Sequence, residues 1–227
     1  MSDKLPVIAI LGGTGDLGTG LARCWGEAGF PVIIGSRTAE KAEAAVDSMQ
    51  KILEGRGIND MNLRSDENLR AAEAANIVAI TVPFSHQQST LEHVKPALKG
   101  KILIDTTVPL IPPKVARVQL PETGSAGQMA QELLGEDVRV VSAFQNVAAQ
   151  HLQKGTNAGC DVLVSGNNKD ARSQVIELIE ACGMRGFHAG SIANSAAAEA
   201  LTSILIFINK QYKCHAGISI TGLDPEQ

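Results

Sequence analysis

Gly13, Gly15 and Gly18 stand in a Gly-x-Gly-x-x-Gly pattern directly after the apolar run Val7-Ile8-Ala9-Ile10-Leu11. That spacing can hold a dinucleotide pyrophosphate. The first glycine permits the turn, the second lets the backbone approach the phosphates, and the third packs a helix against its strand. The pattern is common by itself, but here a strand precedes it and an amphipathic run, 17–28, follows it. Thr14, Gly15, Asp16 and Leu17 are therefore cofactor-side candidates, with Asp16 a polar rim residue rather than a catalyst. A second set of residues specifies the nucleotide. NAD-binding folds place a carboxylate about 20 residues beyond the glycines, at the end of the second strand, to hold the ribose hydroxyls. This chain offers Gly35-Ser36-Arg37-Thr38 there, with Lys41 in the first turn of a helix capped by Thr38. A hydroxyl and two cations suit a 2′-phosphate, so NADP(H) is the expected cofactor. One charge-assisted contact of this kind contributes roughly 1.5–3 kcal/mol, or roughly 10- to 100-fold in preference.

The elements that must position these residues alternate in type. Strands are expected at 7–11, 31–35, 62–64, 77–82, 101–105 and 138–143. Helices are expected at 17–28, 39–53, 66–75 (capped by Asp66) and 126–134 (capped by Ser125). Near-continuous apolar strands alternating with helices predict a doubly wound parallel sheet of Rossmann type. Ligands of such sheets gather at the carboxyl ends of the strands. That rule brings together the loops 12–16, 36–41, 83–86, 106–113 and 144–149, and adds Val82, Pro83, Phe84, His86 and Ala143 as cofactor-side candidates. The stretch 106–124, with Pro109, Pro112, Pro113 and Pro121, is long for a compact α/β domain and reads as a substrate-side flap. No nucleophile with its base and no carboxylate pair occurs in these loops. His86 is a candidate for touching the nicotinamide, His151 for meeting substrate, and Lys210, Lys213 and His215 for steering an anionic tail. His93 and His188 read as structural.

Beyond residue 150 the pattern changes to a strand at 161–165, a helix at 171–181, a connection at 186–189, a long apolar helix at 196–212 and a last strand at 218–220. The expected organisation is an NADP-binding domain at 1–150 and a small C-terminal α+β domain for substrate and dimerisation at 151–227. The long helix carries Leu201, Ile204, Leu205, Ile208 and Tyr212 at helical spacing, with Ile206 and Phe207 widening the stripe. Such a helix packs on more than one side, which suits a homodimer contact. With 24 acidic and 20 basic residues in 227, the charge balance gives no reason to expect nucleic acid. The four cysteines, Cys24, Cys160, Cys182 and Cys214, show no metal-ligand spacing and read as reduced thiols. Residues 1–6 are too short and polar for a secretion signal, and the apolar run 204–208 falls far below the ~18 residues of a membrane span. A cytoplasmic protein with no metal is the expectation.

In order along the chain, Gly12-Gly-Thr-Gly-x-Leu-Gly18, Gly35-Ser-Arg37 with Lys41, Pro83-x-x-His86, Val141-Ser-Ala143, and Leu201-Thr with Asn209 resemble the F420H2:NADP oxidoreductases, also called NADPH-dependent F420 reductases. The resemblance runs nearly end to end. It implies a dimeric cytosolic enzyme that passes hydride between NADPH and the deazaflavin coenzyme F420. It also implies that Thr14, Ser36, Arg37 and Lys41 hold the 2′-phosphate, that the backbone around 15–17 takes the pyrophosphate, and that Val147 and Ala149 face the two rings. The chain departs from the archaeal pattern where a histidine is replaced by Gln145, where Thr-Ile-Pro is replaced by Asn146-Val147-Ala148, and where an arginine is replaced by Ala196. These departures lie on the substrate side. They leave open a different acceptor (a flavin, a pterin or a ferric chelate) and a non-catalytic NADP-binding sensor.

Overall fold

The computed structural model describes residues 4–58, 61–155 and 159–222. Residues 1–3 and the outer ends of the two expected domains lie outside the described residues. The chain folds as β1 (Ile8–Leu11), α1 (Asp16–Glu27), β2 (Val32–Ser36), α2 (Ala39–Glu54), β3 (Leu63–Glu67), α3 (Asn68–Ala74), β4 (Ile77–Ile80), α4 (Phe84–Leu98), β5 (Ile102–Asp105), α5 (Ala126–Leu134), β6 (Arg139–Ser142), α6 (Ala149–Lys154), β7 (Asp161–Gly166), α7 (Lys169–Glu180), β8 (Arg185–His188), a single 3-10 turn (Ile192–Asn194) and α8 (Ser195–Tyr212).

The eight strands form one sheet in the order β3-β2-β1-β4-β5-β6-β7-β8. All neighbours are parallel except β6 and β7, which meet antiparallel through Val141 opposite Gly166 and Ser142 opposite Ser165. Strand residues alternate between two apolar layers, as the period of two requires. Ile8, Ile10, Val32, Ile34 and Ile77 join the layer that includes Trp25 of α1. Ala9, Leu11, Ile33, Val78 and Ile80 join the layer under α3, α4 and α5. The helices show the complementary period. In α2 the buried residues are Ala42, Val46, Met49 and Leu53, and in α4 they are Gln87, Leu91, Val94 and Leu98, one stripe each. Gln87 is the exception to that stripe, a polar side chain at a core position.

Several expectations shift. Asp66 lies inside β3 and accepts the Glu67 N–H, so α3 begins at Asn68 with Glu67 before it. The segment expected to be a connection at 186–189 is strand β8, paired in parallel with β7 and pinned by a two-pronged Arg185–Asp161 ion pair. Residues 218–220 are not a strand. They run beside β7, where the Asp161 N–H donates to the Ile218 carbonyl at 2.8 Å and the Ile220 N–H to the Asp161 carboxylate at 2.6 Å. That segment fills the edge β7 leaves free after its two-residue pairing with β6.

The helical stretch Ile192–Tyr212 is long and apolar enough to cross a membrane by length and composition, with a mean hydropathy of 1.4. The count over 204–208 alone understates this. In the fold the helix is bound into the sheet by polar contacts: Asn146 Nδ2 donates to the Ala198 carbonyl at 2.8 Å, Thr202 Oγ1 to the Gln145 carbonyl at 2.9 Å, and the Glu199 carboxylate accepts from the start of α5.

Candidate functional site

The order β3-β2-β1-β4-β5 reverses direction between β1 and β4, and an open crevice of about 790 Å³ lies at the carboxyl ends of those strands. That is the place where the topology of a doubly wound sheet leaves the helices splayed apart. Of the candidates, Thr14, Gly15, Leu17, Ser36, Arg37, Lys41, Val82, Pro83, Phe84 and His86 all line it, together with the start of the 106–124 stretch through Thr106, Thr107, Val108, Leu110, Pro112 and Val115.

The glycine turn is built by close approach. Gly12 has φ +65, and a Cβ there would stand 2.3 Å from the Val82 side chain. Gly13 donates to the Gly35 carbonyl at 3.0 Å, and its Cβ would meet the Ile10 carbonyl oxygen at 2.7 Å. A Cβ on Gly18 would lie 2.5 Å from the Gly13 backbone, so α1 can enter this turn only on a glycine. Gly15 differs. Nothing stands within 4 Å of its missing Cβ, it precedes the first residue of α1, and no side chain caps that helix start. A bare helix start facing a crevice presents free N–H groups and the positive end of the helix dipole. This is a cradle that a pyrophosphate fits.

The second strand delivers the other half. Ser36, the last residue of β2, is 5% exposed. Arg37 and Lys41 are exposed on the crevice rim, and Thr38 precedes α2 without capping it through its side chain. No aspartate, glutamate or cysteine lines the crevice among the described residues. Its charged side chains are cations, so the wall matches an anionic ligand and offers no carboxylate to compete with a ribose phosphate.

Two residues that the sequence reading missed, Asn68 and Thr81, also shape the site, as does Thr106 of the expected 106–113 loop. Asn68 lines the crevice, 6% exposed, and its Oδ1 accepts the Gly12 N–H at 3.2 Å, which ties α3 to the glycine turn. Thr81 donates to the Leu11 carbonyl at 3.0 Å and Thr106 to the Ile80 carbonyl at 2.8 Å, closing the strand ends over which the crevice lies. Their position just past the ends of parallel strands was a usable signal.

Residues 144–149 are not among those lining this crevice. Phe144, with φ +72 and its ring 6.0 Å from Trp25 in an edge-on contact, turns the chain inward. Gln145 is 7% exposed, and its Nε2 donates to the Asp105 carbonyl and the Ser142 hydroxyl, both at 2.8 Å. Asn146 reaches α8 as described above. Ala143 is fully buried, while Val147 and Ala149 are half-buried near α6. Asp16 also lies off the crevice lining; its backbone carbonyl and carboxylate accept from Gln153 of α6 at 3.2 Å. His151 packs edge-on against His215 at 5.7 Å, beside the exposed Lys210 and Lys213. Gly13 serves the turn from beneath and does not face the crevice.

Under the crevice floor lies a buried polar network. Gln87 Nε2 donates to the Asp105 carboxylate and, at 3.1 Å, to the Ala126 carbonyl. Asp105 accepts the Thr107 N–H at 2.8 Å, which fixes the crevice wall just beyond β5. Glu199 of α8 accepts the N–H groups of Ala126 and Gly127 at 2.7 and 3.0 Å, and Ser195 donates to Ser125 at 2.7 Å. Burial pushes the Asp105 carboxyl above its ordinary value. Burial likewise pushes Glu199 up to about 7, against the two N–H bonds from α5 that favour its charged form.

Compared with known proteins, residues 7–109 match the model of the family described as NADP oxidoreductase coenzyme F420-dependent. The F420-dependent NADP reductase of Methanocaldococcus jannaschii is 41% identical over 223 residues, spanning 96% of this chain and 99% of that protein. The protein of the same description from Methanothermobacter marburgensis is 40% identical over 95% of this chain and 98% of its own length. A solved structure, a putative F420-dependent NADP reductase from Arthrobacter sp. FB24, superposes with a TM-score of 0.76 at 22% identity, covering 92% of this chain and 96% of that one. That superposition carries the Rossmann-type fold.

Proposed function

This chain belongs to the coenzyme-F420-dependent NADP reductase family, and we propose how its crevice serves that reaction: NADPH lies with its 2′-phosphate on Ser36, Arg37 and Lys41, its pyrophosphate over the bare start of α1 at Gly15, and its nicotinamide between the Pro83–His86 turn and the Thr106–Leu110 wall. The enzyme is an NADP-dependent oxidoreductase that exchanges hydride with F420. When bound, the nicotinamide and the deazaflavin supply the hydride chemistry between them. The protein's part is to bind, to align and to exclude water. The observation that carries this reading is the crevice lining itself, cationic at the β2 end and, among the described residues, without a carboxylate or thiol. Arg37 and Lys41 neutralise the phosphate. Gly15 gives backbone access. Val82, Pro83, Val108 and Leu110 supply an apolar wall against which a flat ring stacks. Thr107, held by Asp105, keeps that wall in place. Coenzyme F420 approaches from the side of Val147 and Ala149, where α6 begins.

Residues 1–150 form the cofactor-binding part and residues 151–227 the substrate and dimerisation part, although β7 and β8 extend the same sheet. A homodimer forms through α8. Ile204, Phe207 and Tyr212 are 48%, 58% and 73% exposed on it, and the 106–124 stretch, joined to α8 where Ser203 donates to the Arg117 carbonyl, adds exposed Val118 and Leu120. The protein works in the cytoplasm. The test of the reaction is to mix the protein with NADPH and oxidised F420 and follow the deazaflavin absorbance, which should fall with turnover. Turnover on flavin or ferric chelates but not on F420 would move the acceptor. Tight NADPH binding with no turnover on any acceptor would make the chain a sensor.

A further inference from the structure

Away from the crevice, at the far end of α1, a second cavity of about 340 Å³ is lined by Arg23, Cys24, Glu27, Leu152, Cys182 and Met184, among others. It brings together two cysteines that lie far apart in sequence. Cys24 sits on the last turns of α1, and Cys182 sits in the turn that ends α7. The two elements are held against each other next door, where Trp25 Nε1 donates to the Leu178 carbonyl at 3.0 Å. Both side chains line this one cavity, each close enough to shift the acidity of the other. Arg23 adds a cation at the same point. Its Nη2 donates to Cys24 Sγ at 3.4 Å, while its Nε holds the Leu152 carbonyl at 2.6 Å and its Nη1 pairs with Glu27.

We propose that Cys24 and Cys182 form an internal redox site, a dithiol that a low-molecular-weight disulfide converts into a disulfide joining α1 to the turn after α7. The two sulfurs are chemically unequal, as such a site requires. The neighbouring Cys182 thiol and the Arg23 guanidinium draw the Cys24 thiol below its ordinary value, against burial and Glu27. The Cys24 neighbour, with burial, pushes Cys182 up. Burial, with the neighbouring Asp161 charge, raises Cys160. In the first step Cys24 gives up its proton, and its thiolate attacks one sulfur of the small disulfide, RSSR. The Cys24–S–SR bond forms and RS⁻ leaves, taking up that proton. In the second step Cys182 loses its proton, its sulfur attacks the Cys24 sulfur, and the second RS⁻ leaves as RSH. Two protein thiols have lost two electrons and one RSSR has become two RSH. Arg23 then loses a sulfur partner but keeps Glu27 and Leu152, so the α1–α6 contact survives in both states.

The test treats the folded full chain with cystamine and reads mass, thiol count and linked peptides. A Cys214→Ser background is used because Cys214 is exposed and would otherwise trap its own adduct. The expected product is two mass units lighter, carries no adduct, has lost two of its three thiols and yields one peptide joining residues 24 and 182. Dithiothreitol should reverse it. In Cys182→Ser, at a half-buried position, the reaction should stop at a mixed disulfide on Cys24. The proposal is overturned if Cys24 and Cys182 remain thiols while the protein stays folded. It is equally overturned if each ends as a separate mixed disulfide, or if Cys24 pairs with Cys160.

Discussion

Helices α1 and α5 start at the same rim of the sheet, past the carboxyl ends of β1 and β5, and each start presents unpaired N–H groups and a positive dipole end. The chain treats them in opposite ways. At α1 the residue before the helix is Gly15, without a side-chain cap and with open space where a Cβ would be. At α5, Ser125 accepts the Gln128 N–H, and Glu199, brought by α8 from 73 residues away, accepts the N–H groups of Ala126 and Gly127. One anion site is left for a ligand, and the other is filled from within. A helix start at this rim is therefore a functional site only where the chain declines to fill it. The same contrast separates the 36–41 loop, with its cations exposed, from the 144–149 loop, whose amides are committed to Asp105, Ser142 and α8.

The largest test of this contrast empties the filled site. Glu199→Ala strands two buried N–H groups, at roughly 1–3 kcal/mol each. The thermal midpoint should fall by about 4–24 °C at roughly 2–4 °C per kcal/mol, with NADPH affinity in the folded fraction nearly unchanged. A drop in affinity as large as the drop in stability would merge the two regions. Next comes the open site. Arg37→Ala should weaken NADPH binding by roughly 10- to 100-fold and leave NADH binding alone, as titration calorimetry would read; equal losses for both nucleotides would remove the phosphate from Arg37. Smaller still is Gly15→Ala, whose methyl enters empty space. It should cost about tenfold in NADPH affinity, or about 1.4 kcal/mol, with no change in thermal midpoint. Gly18→Ala, 2.5 Å from the Gly13 backbone, should lower the midpoint as well. If Gly15→Ala behaves like Gly18→Ala, the bare start of α1 is a packing feature.

The half of this comparison that faces solvent was the half the sequence displayed. The glycines must stand at close fixed spacing to make the turn, and Ser36 and Arg37 must sit at the very end of β2 to reach the crevice, so their roles are written in local order. The near-continuous apolar character of β1, β2 and β4 was equally plain, because each strand is covered on both faces. What escaped was what depends on distant partners. Glu199 reads as one acid in an apolar helix until Ala126 is set beside it, and Gln87 reads as a polar helix residue until Asp105 is. Asp66 looked like a cap because it precedes a helical run, whereas β3 pairs with β2 through Glu67 and carries Asp66 into the sheet. Strand β8 was missed because Arg185, Gly186 and His188 leave Phe187 alone to signal it. The 144–149 loop was assigned to the crevice by position, and the inward hydrogen bonds of Gln145 and Asn146 are ones that no spacing rule contains.

The smallest effect asks what kind of group fills the α5 start. The Glu199 carboxyl, pushed up to about 7 from an ordinary 4.5, keeps its proton in the folded protein over a range where the unfolded chain has lost it. The folded state therefore binds more protons there, so this stabilisation is full below about 4.5 and is lost as pH rises through about 7. Between about pH 6 and pH 8 the loss is about 1 kcal/mol, a fall of roughly 2–4 °C in thermal midpoint. Glu199→Gln cannot ionise. The midpoint of the native chain should thus decline relative to that of the variant by this amount over the same interval. His188, lowered by burial and by the charges of Arg172 and Lys169, is present in both proteins and cancels in the difference, whereas the Asp105 charge, which helps raise Glu199, belongs to the effect being read. A sloping difference makes the group at α5 a proton carrier, neutral on the acid side of 7, unlike the permanent phosphate charge expected at α1. A flat difference makes both helix starts hold true anions, and only the origin of the anion, ligand or chain, would then distinguish them.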